Sequence, residues 1–373
     1  MKGLPIIIGG NHHNTLGVIR ALGYKGIRSL VILVTNEEHP YVAYSKYIDK
    51  CVLLKTKEGI VPYLLSQAKS DHGKQVILSC ADFVTSELDA CLNELNEYYY
   101  LPTAKGQGIC NHYMDKHCMT ELAKEVGIAI PKSWIVDTNE RFNIQEISFP
   151  CIVKPLVSIY GSKSEIKVLK DSISLANYLS SYRGHRFIIQ EFIDKDFEYQ
   201  LIGCSLNHGD EIIIPGYSKC IRPCPGTNTG FLEYKSFDNF CCDLISCKKF
   251  IKTIGYQGLF SMEYLRDKKG RDYFMEINMR NDGNGICVTG AGVNLPYIWY
   301  QYCVGGDYKK EIANNIQDIF VMPEIDDFRC FVKTGKMSII KWFKDVKKSS
   351  VFMEFDKRDI KPFVFAIIRK FIR

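Results

Sequence analysis

Gly258-Leu-Phe-Ser-Met-Glu263-Tyr-Leu-Arg-Asp-Lys-Lys-Gly270-Arg-Asp-Tyr-Phe-Met-Glu276-Ile-Asn278-Met-Arg280 reads as two strand-like runs joined by the turn Asp267-Lys-Lys-Gly270. A short polar turn ending in glycine pairs its flanks as an antiparallel hairpin. Side chains alternate along a strand, which puts Glu276, Asn278 and Arg280 on one face and Met275, Ile277 and Met279 on the other. On the first strand Phe260, Met262 and Tyr264 are the apolar set, and Glu263 joins the polar face, across from Glu276 to within about one residue of register. Two carboxylates and an amide on one face are an oxygen-only ligand set, suited to a hard cation such as magnesium that keeps waters and phosphate oxygens. The same residues also suit a solvated sheet face carrying a Glu–Arg ion pair.

Outward from the hairpin the chain has two kinds of order. Leu4 to Ile8, a helical stretch after Gly9-Gly10 through Leu22, and Leu30 to Val34 form a βαβ unit. A helix after Pro62, the strand Val76 to Ser79 and a helix from Thr85 to Leu95 continue the alternation of a small parallel sheet. His12 and His13 are expected to line a cleft at the end of the first strand. Gly9-Gly10-Asn11-His12 lacks the G-x-G-x-x-G fingerprint, which argues against a nicotinamide dehydrogenase. From Met114 onward the order is α+β: a helix with Met114, Cys118, Leu122 and Val126 on one face, then the strands Cys151 to Lys154, Glu165 to Leu169 and Phe187 to Phe192. A helix at Leu244 to Ile254 precedes the hairpin. The reading is α/β plus α+β, with an N-terminal domain at 1–108, a second at 109–305 and a basic C-terminal segment at 306–373.

Composition narrows the function classes. The 373 residues are 46% hydrophobic and 24% charged, which excludes a disordered chain and a membrane-embedded body. The net charge is +6, but residues 331–373 carry 12 basic and 4 acidic side chains, so the rest of the chain is close to neutral and nucleic-acid binding is not indicated. Fifteen cysteines without an export signal suggest reduced thiols and a cytoplasmic location.

Several further stretches carry chemistry. Lys154 closes the apolar strand Cys151-Ile-Val, so its ammonium emerges at a strand end, where it meets either solvent or a phosphate. Lys116 stands in the first turn of its helix, where an anionic ligand would offset an unfavourable dipole. Lys219 and Arg222 precede the turn Pro223 to Gly230, and Asn281-Asp282-Gly283-Asn284-Gly285 must bend sharply, with amides able to meet a carboxylate.

Taken with the hairpin, these stretches resemble the ATP-grasp carboxylate-amine ligases, the family of biotin carboxylase and carbamoyl phosphate synthetase. Asp115-Lys116, Gly127-Ile-Ala-Ile-Pro131, Phe149-Pro-Cys-Ile-Val-Lys154-Pro155 and Gln190-Glu191-Phe192-Ile193 follow the family's order, to about residue 305. The resemblance implies an ATP-grasp fold behind a small parallel-sheet domain, with ATP and Mg2+ as cofactors. Lys116 and Lys154 would contact phosphates, Gln190, Glu191, Phe192 and Ile193 would read adenine, and Glu198 would bind ribose. Ser158, Gly161, Ser162 and Lys163 occupy the place of a phosphate-covering loop, although relatives carry more glycines there. Glu263, Glu276 and Asn278 would hold the metal, and Arg280, Lys219 and Arg222 would stabilise the transferring charge. Arg280 is followed by Asn-Asp-Gly-Asn-Gly instead of the Gln, Glu and His of biotin carboxylase, so amino-acid ligases of the D-aspartate ligase type are the nearer resemblance. The expected reaction forms an amide from a small carboxylate and an amine, on an amino acid or a cell-envelope precursor. The alternative is a nucleotide-binding regulatory or assembly subunit without turnover.

The C-terminal stretch alternates apolar side chains with cations, as in Lys341-Trp-Phe-Lys344 and Lys361-Pro-Phe-Val-Phe-Ala-Ile-Ile-Arg369. Two readings fit: a peripheral contact with the inner face of an anionic membrane, or a terminal helix docked on the body. The oligomeric state is not legible.

Overall fold

The alternation in the first hundred residues builds a parallel sheet. In a computed structural model, which describes residues 4–68, 73–140, 142–155, 166–182, 184–225 and 229–372, its strands are β1 (Ile6–Gly9), β2 (Ser29–Val34), β3 (Ile48–Leu54), β4 (Gln75–Ser79) and β5 (Tyr99–Tyr100). They lie in the order β3-β2-β1-β4-β5. Consecutive isoleucines in β1 show why the strand reads as a solid apolar run. Ile7 packs into a core with the helix His13–Gly23, while Ile6 and Ile8 pack on the opposite face with Ile60, Leu64, Val84 and Leu88. The edge strand β3 escapes the sequence reading because its first half, with Asp49 and Lys50, is exposed. The helix expected from Thr85 to Leu95 is two, Asp82–Ala90 and Leu92–Leu95, broken at Cys91.

Two antiparallel sheets follow. The smaller contains β6 (Ser133–Asp137), β7 (Cys151–Pro155), β8 (Lys167–Leu169) and β9 (Arg186–Glu191), in the order β6-β9-β7-β8, with Leu175 of the helix Ser172–Ser180 in its core. The larger contains β10 (Lys195–Leu206), β11 (Glu211–Ile213), β12 (Tyr217–Pro223), β13 (Gly230–Lys235), β14 (Gly258–Asp267), β15 (Asp272–Asn278), β16 (Ile319–Met322) and β17 (Ser349–Phe352). Its order is β15-β14-β10-β12-β13-β16-β17, with β11 on β10, and β16–β17 is its parallel pair. The segment Gln190 to Ile193 leads from the small sheet into the large one.

The β14–β15 hairpin keeps the expected register: Glu263 pairs with Glu276 and Ser261 with Asn278. One residue on, Tyr264 pairs with Phe274, so Met275 is an extra residue in a β-bulge. The bulge interrupts the expected alternation, and Phe274 joins Ile277 and Met279 in the core where Met275 would have been.

Residues 306–373 are built into the body. The strand β16 extends the large sheet, and Phe363, Phe365 and Ile367 of the helix Lys361–Ile367 pack against the central core. Phe365 stacks on Tyr44 with ring centroids 3.5 Å apart, Arg369 pairs with Glu37 at 2.6 Å and Lys370 with Asp326 at 2.6 Å. For this helix the structure selects docking on the body over exposure to a membrane. No described helix is long and apolar enough to cross a membrane.

Candidate active site

The open end of the β14–β15 hairpin, the start of the helix Lys116–Glu125, β7, β10 and the two residues that follow β9 line a cavity of about 510 Å³. Glu263, Glu276, Asn278 and Arg280 all line it, as the hairpin geometry requires. Asn278 Nδ2 donates to Glu263 Oε1 at 3.1 Å, Gln200 Nε2 donates to the same oxygen at 3.1 Å, and Arg280 Nη2 donates to Asn278 Oδ1 at 2.9 Å. Carboxylate oxygens from two paired strands, oriented by neutral amides and not buried in apolar contacts, fit a hard divalent cation.

Two cations face these carboxylates. Lys116 Nζ lies 3.9 Å from Glu276 Oε2, and Asp115 caps the helix by accepting from the amides of His117 at 2.8 Å and Cys118 at 3.1 Å. Lys154 Nζ donates to Gln190 Oε1 at 2.9 Å, and Gln190 Nε2 donates to Ser133 Oγ at 3.1 Å, so a chain of hydrogen bonds fixes the ammonium at the strand end. Burial lowers the pKa of Lys154 to about 8, with a further push from Lys116, while Glu276, Glu263 and Glu198 act in the opposite direction. A partly desolvated ammonium next to an acidic cluster is poised for an anionic ligand that brings its own oxygens.

Phe192, Ile193 and Glu198 also line the cavity. Glu198 pairs with Lys195, and Phe192 N donates to Pro150 O at 3.1 Å. Glu191 stands outside the lining, where its Oε1 accepts from Lys132 N at 3.0 Å. Gln190 is buried behind Lys154 and serves to hold it.

Lys219 and Arg222 are placed differently from the sequence expectation. Cys220 pairs with Leu232 and Arg222 with Phe231, which makes Ile221 an extra residue and turns Arg222 to the same side as Lys219. Ser218 and Cys220 face the cavity on the other side. Lys219 Nζ sits 4.1 Å from the centroid of the Phe197 ring. Arg222 is bound by Asp327 at 2.9 Å and Asp345 at 2.8 Å. Neither lines the cavity. Ser158, Gly161, Ser162 and Lys163 lie outside the described residues.

Asp82 and Gln200, which the sequence does not single out, and the side chain of Asp282 complete the site. Asp82 lines the cavity from the start of the helix Asp82–Ala90, three residues past β4, and accepts from Arg280 Nε at 3.0 Å. Its place just past a parallel strand was the available signal. Asp282 Oδ2 accepts from Arg280 Nη1 at 3.3 Å and from Ser261 Oγ at 2.7 Å. Burial works against the Arg280 cation, yet Asp82 and Asp282 hold its pKa above the ordinary value. Gln200, a polar residue inside an apolar run, accepts from Asn284 Nδ2 at 2.8 Å while donating to Glu263.

The turn after Arg280 spends its amides internally. Asn281 N donates to Ser79 O at 2.9 Å, Asn284 N to Asp282 Oδ1 at 2.8 Å and Gly285 N to Asp282 O at 2.9 Å. Those three amides are taken, contrary to the expectation that this turn offers them to a substrate carboxylate. His12 caps the helix His13–Gly23 and His13 is buried beneath it, and neither lines the cavity.

The chain is similar to several known proteins. Residues 115–298 match the family described as "Carbamoyl-phosphate synthase L chain, ATP binding domain". The chain is 24% identical over 233 residues to the formate-dependent phosphoribosylglycinamide formyltransferase of Anaeromyxobacter dehalogenans, covering 57% of each chain. It thus spans little more than half the length of such curated relatives. Among solved structures it is similar to the N5-carboxyaminoimidazole synthetase of Staphylococcus aureus, with a TM-score of 0.66, 15% identity and coverage of 89% and 85% of the two chains. The L-amino acid ligase of Bacillus licheniformis gives a TM-score of 0.63 at 14% identity, with coverage of 86% and 78%.

Proposed function

We propose that this chain, which belongs to the ATP-grasp carboxylate-amine ligase family, joins a small-molecule carboxylate to an amine, using ATP and Mg2+ and releasing ADP and phosphate. The observation that carries the reading is the placement of Glu263, Glu276 and Asn278 on one wall of the cavity, with Lys116 and Lys154 facing them. Magnesium held by those three residues would neutralise charge on the β- and γ-phosphates and bring them into register with the carboxylate. Lys154 and Lys116 would bind the phosphate oxygens. Phe192 and Ile193 offer apolar surface at the strand end for the base, and Glu198 lies within the same cavity for the ribose.

Arg280 is the chain's own contribution to the reacting centre. Its guanidinium is fixed by Asp82, Asp282 and Asn278, so it would meet a transferring phosphoryl group without reorganising. Attack of the carboxylate oxygen on the γ-phosphorus gives an acyl phosphate and ADP. Attack of the amine on the acyl carbon then expels phosphate and leaves the amide after loss of a proton. In this reading the substrates would be an amino acid or a cell-envelope precursor, and the reaction would take place in the cytoplasm.

Incubating the protein with Mg-ATP and pools of carboxylates and amines, and measuring phosphate release, tests the reading. Release that needs both a carboxylate and an amine supports it. Nucleotide binding with no acceptor-dependent ADP across the pools would make the chain a regulatory or assembly subunit.

A pH profile examines Lys154 directly. Its ammonium is charged below about pH 8 and loses the proton as pH rises, so nucleotide affinity in the free protein is expected to fall through that point. Lys154→Arg, which cannot lose its charge, should flatten this limb of the binding profile measured by calorimetry. A profile unchanged in the variant would show that another group titrates.

A further inference from the structure

The basic C-terminal stretch, which the sequence allows either to meet a membrane or to dock on the body, divides in two in the structure. The helix Lys361–Ile367 is docked, while the contacts of the helix Ile339–Lys348 among the described residues lie on one of its faces. Asp345 is bound by Arg222 at 2.8 Å, and Trp342 meets Phe328 edge-on with ring centroids 5.2 Å apart, so these two side chains mark its inner face. On the outer face Ile339, Ile340 and Phe343 are 42%, 69% and 55% exposed. Spacings of three and four residues place them side by side. Lys341, Lys344, Lys347 and Lys348 are exposed around this apolar strip, and Lys336 is exposed on the loop that precedes the helix. Asp345 is the only acidic side chain from 333 to 348, and it is already paired with Arg222.

We propose that the helix Ile339–Lys348 is a peripheral docking surface for a bilayer containing anionic phospholipids. The apolar strip is exposed and bordered by cations on long stems, so Ile340 and Phe343 would enter the boundary between headgroups and acyl chains while the lysines reach the phosphates. An acidic protein would satisfy the lysines, but would leave the isoleucines and the phenylalanine to find a groove of their own. The body is near neutral outside residues 331–373, so attraction to an anionic surface would orient this face toward it. The inference is independent of the ligase reading, because none of these residues lines the cavity.

Cosedimentation with vesicles of phosphatidylcholine alone, or with about one third phosphatidylserine, tests it at low and high salt. The wild-type chain is expected to pellet with the anionic vesicles at low salt, stay in solution with the neutral ones and be released by salt. Lys344→Ala with Lys347→Ala should weaken binding by roughly fivefold for each lysine removed. Ile340→Ser with Phe343→Ser should weaken it by at least about tenfold while leaving Mg-ATP binding unchanged, since both side chains already face water. Absence of pelleting, equal pelleting with both vesicle types, or pelleting that survives the Ile340 and Phe343 substitutions would each overturn the proposal. The last outcome would leave only charge attraction of the kind any polyanion gives.

Discussion

Glu276→Gln is expected to lower substrate-dependent phosphate release by about 10²–10³-fold with little change in melting temperature. Glutamine keeps the size and one oxygen of glutamate but removes the charge, and a neutral amide is a poor ligand for a hard dication. The loss is comparable with that from deleting one preorganised electrostatic group in a water-poor site. The fold should tolerate the change because Glu276 is half-buried at a hairpin position and its ionic neighbour, Lys116, stands 3.9 Å away with access to solvent. Nucleotide binding measured without metal should be nearly unchanged, and the affinity gained on adding Mg2+ should shrink. Near wild-type turnover in this variant would remove Glu276 from the metal set.

The second large effect is on stability, at a buried cation outside the lining of the cavity. Arg20, 1% exposed on the helix His13–Gly23, donates through Nε to Asp359 Oδ2 at 3.1 Å and through Nη2 to the carbonyl oxygens of Glu354 at 2.8 Å and Asp359 at 2.9 Å. Asp359 also accepts from Ser45 Oγ at 2.7 Å and Lys46 N at 2.9 Å, so one ion pair ties the N-terminal sheet domain to the C-terminal residues. Arg20→Met should cost about 3–5 kcal/mol, because it leaves the Asp359 carboxylate buried without its counter-charge. That is a large part of a typical stability of roughly 5–15 kcal/mol and should appear as a lower urea midpoint. Arg20→Met combined with Asp359→Leu should recover much of the loss, since replacing both members of a buried pair with apolar groups is often near neutral. A double variant as unstable as the sum of the two single variants would show that the pair is not the source of the effect.

The hairpin illustrates how far local pattern reaches. Its turn residues and the spacing of Glu263, Glu276 and Asn278 were enough to pair the strands and gather the oxygens on one face, because hairpin register is a local property. The helix Leu244–Ile254 was equally plain, with an apolar face and a stop at Gly255, whose φ of 66° suits glycine. The strand β10, the longest in the large sheet, is not legible in the sequence. Residues 199–206 are buried throughout, so the period-of-two alternation that marks a half-exposed strand is absent.

Local spacing thus determined the hairpin, the shared face of Glu263, Glu276 and Asn278 and the lysine at the end of β7, since each depends on residues within one or two neighbouring strands. Tertiary structure alone decided the partners of the long cations. Asp327 and Asp345, more than a hundred residues away, engage Arg222 away from the cavity, and Asp82, from the parallel sheet, fixes Arg280 within it. It also decided that one basic apolar helix of the C-terminal region docks against Tyr44 while the other keeps its apolar face in water. A flexible charged side chain goes to whichever opposite charge folding brings within about 4 Å, and the sequence separation of two residues carries no record of that distance.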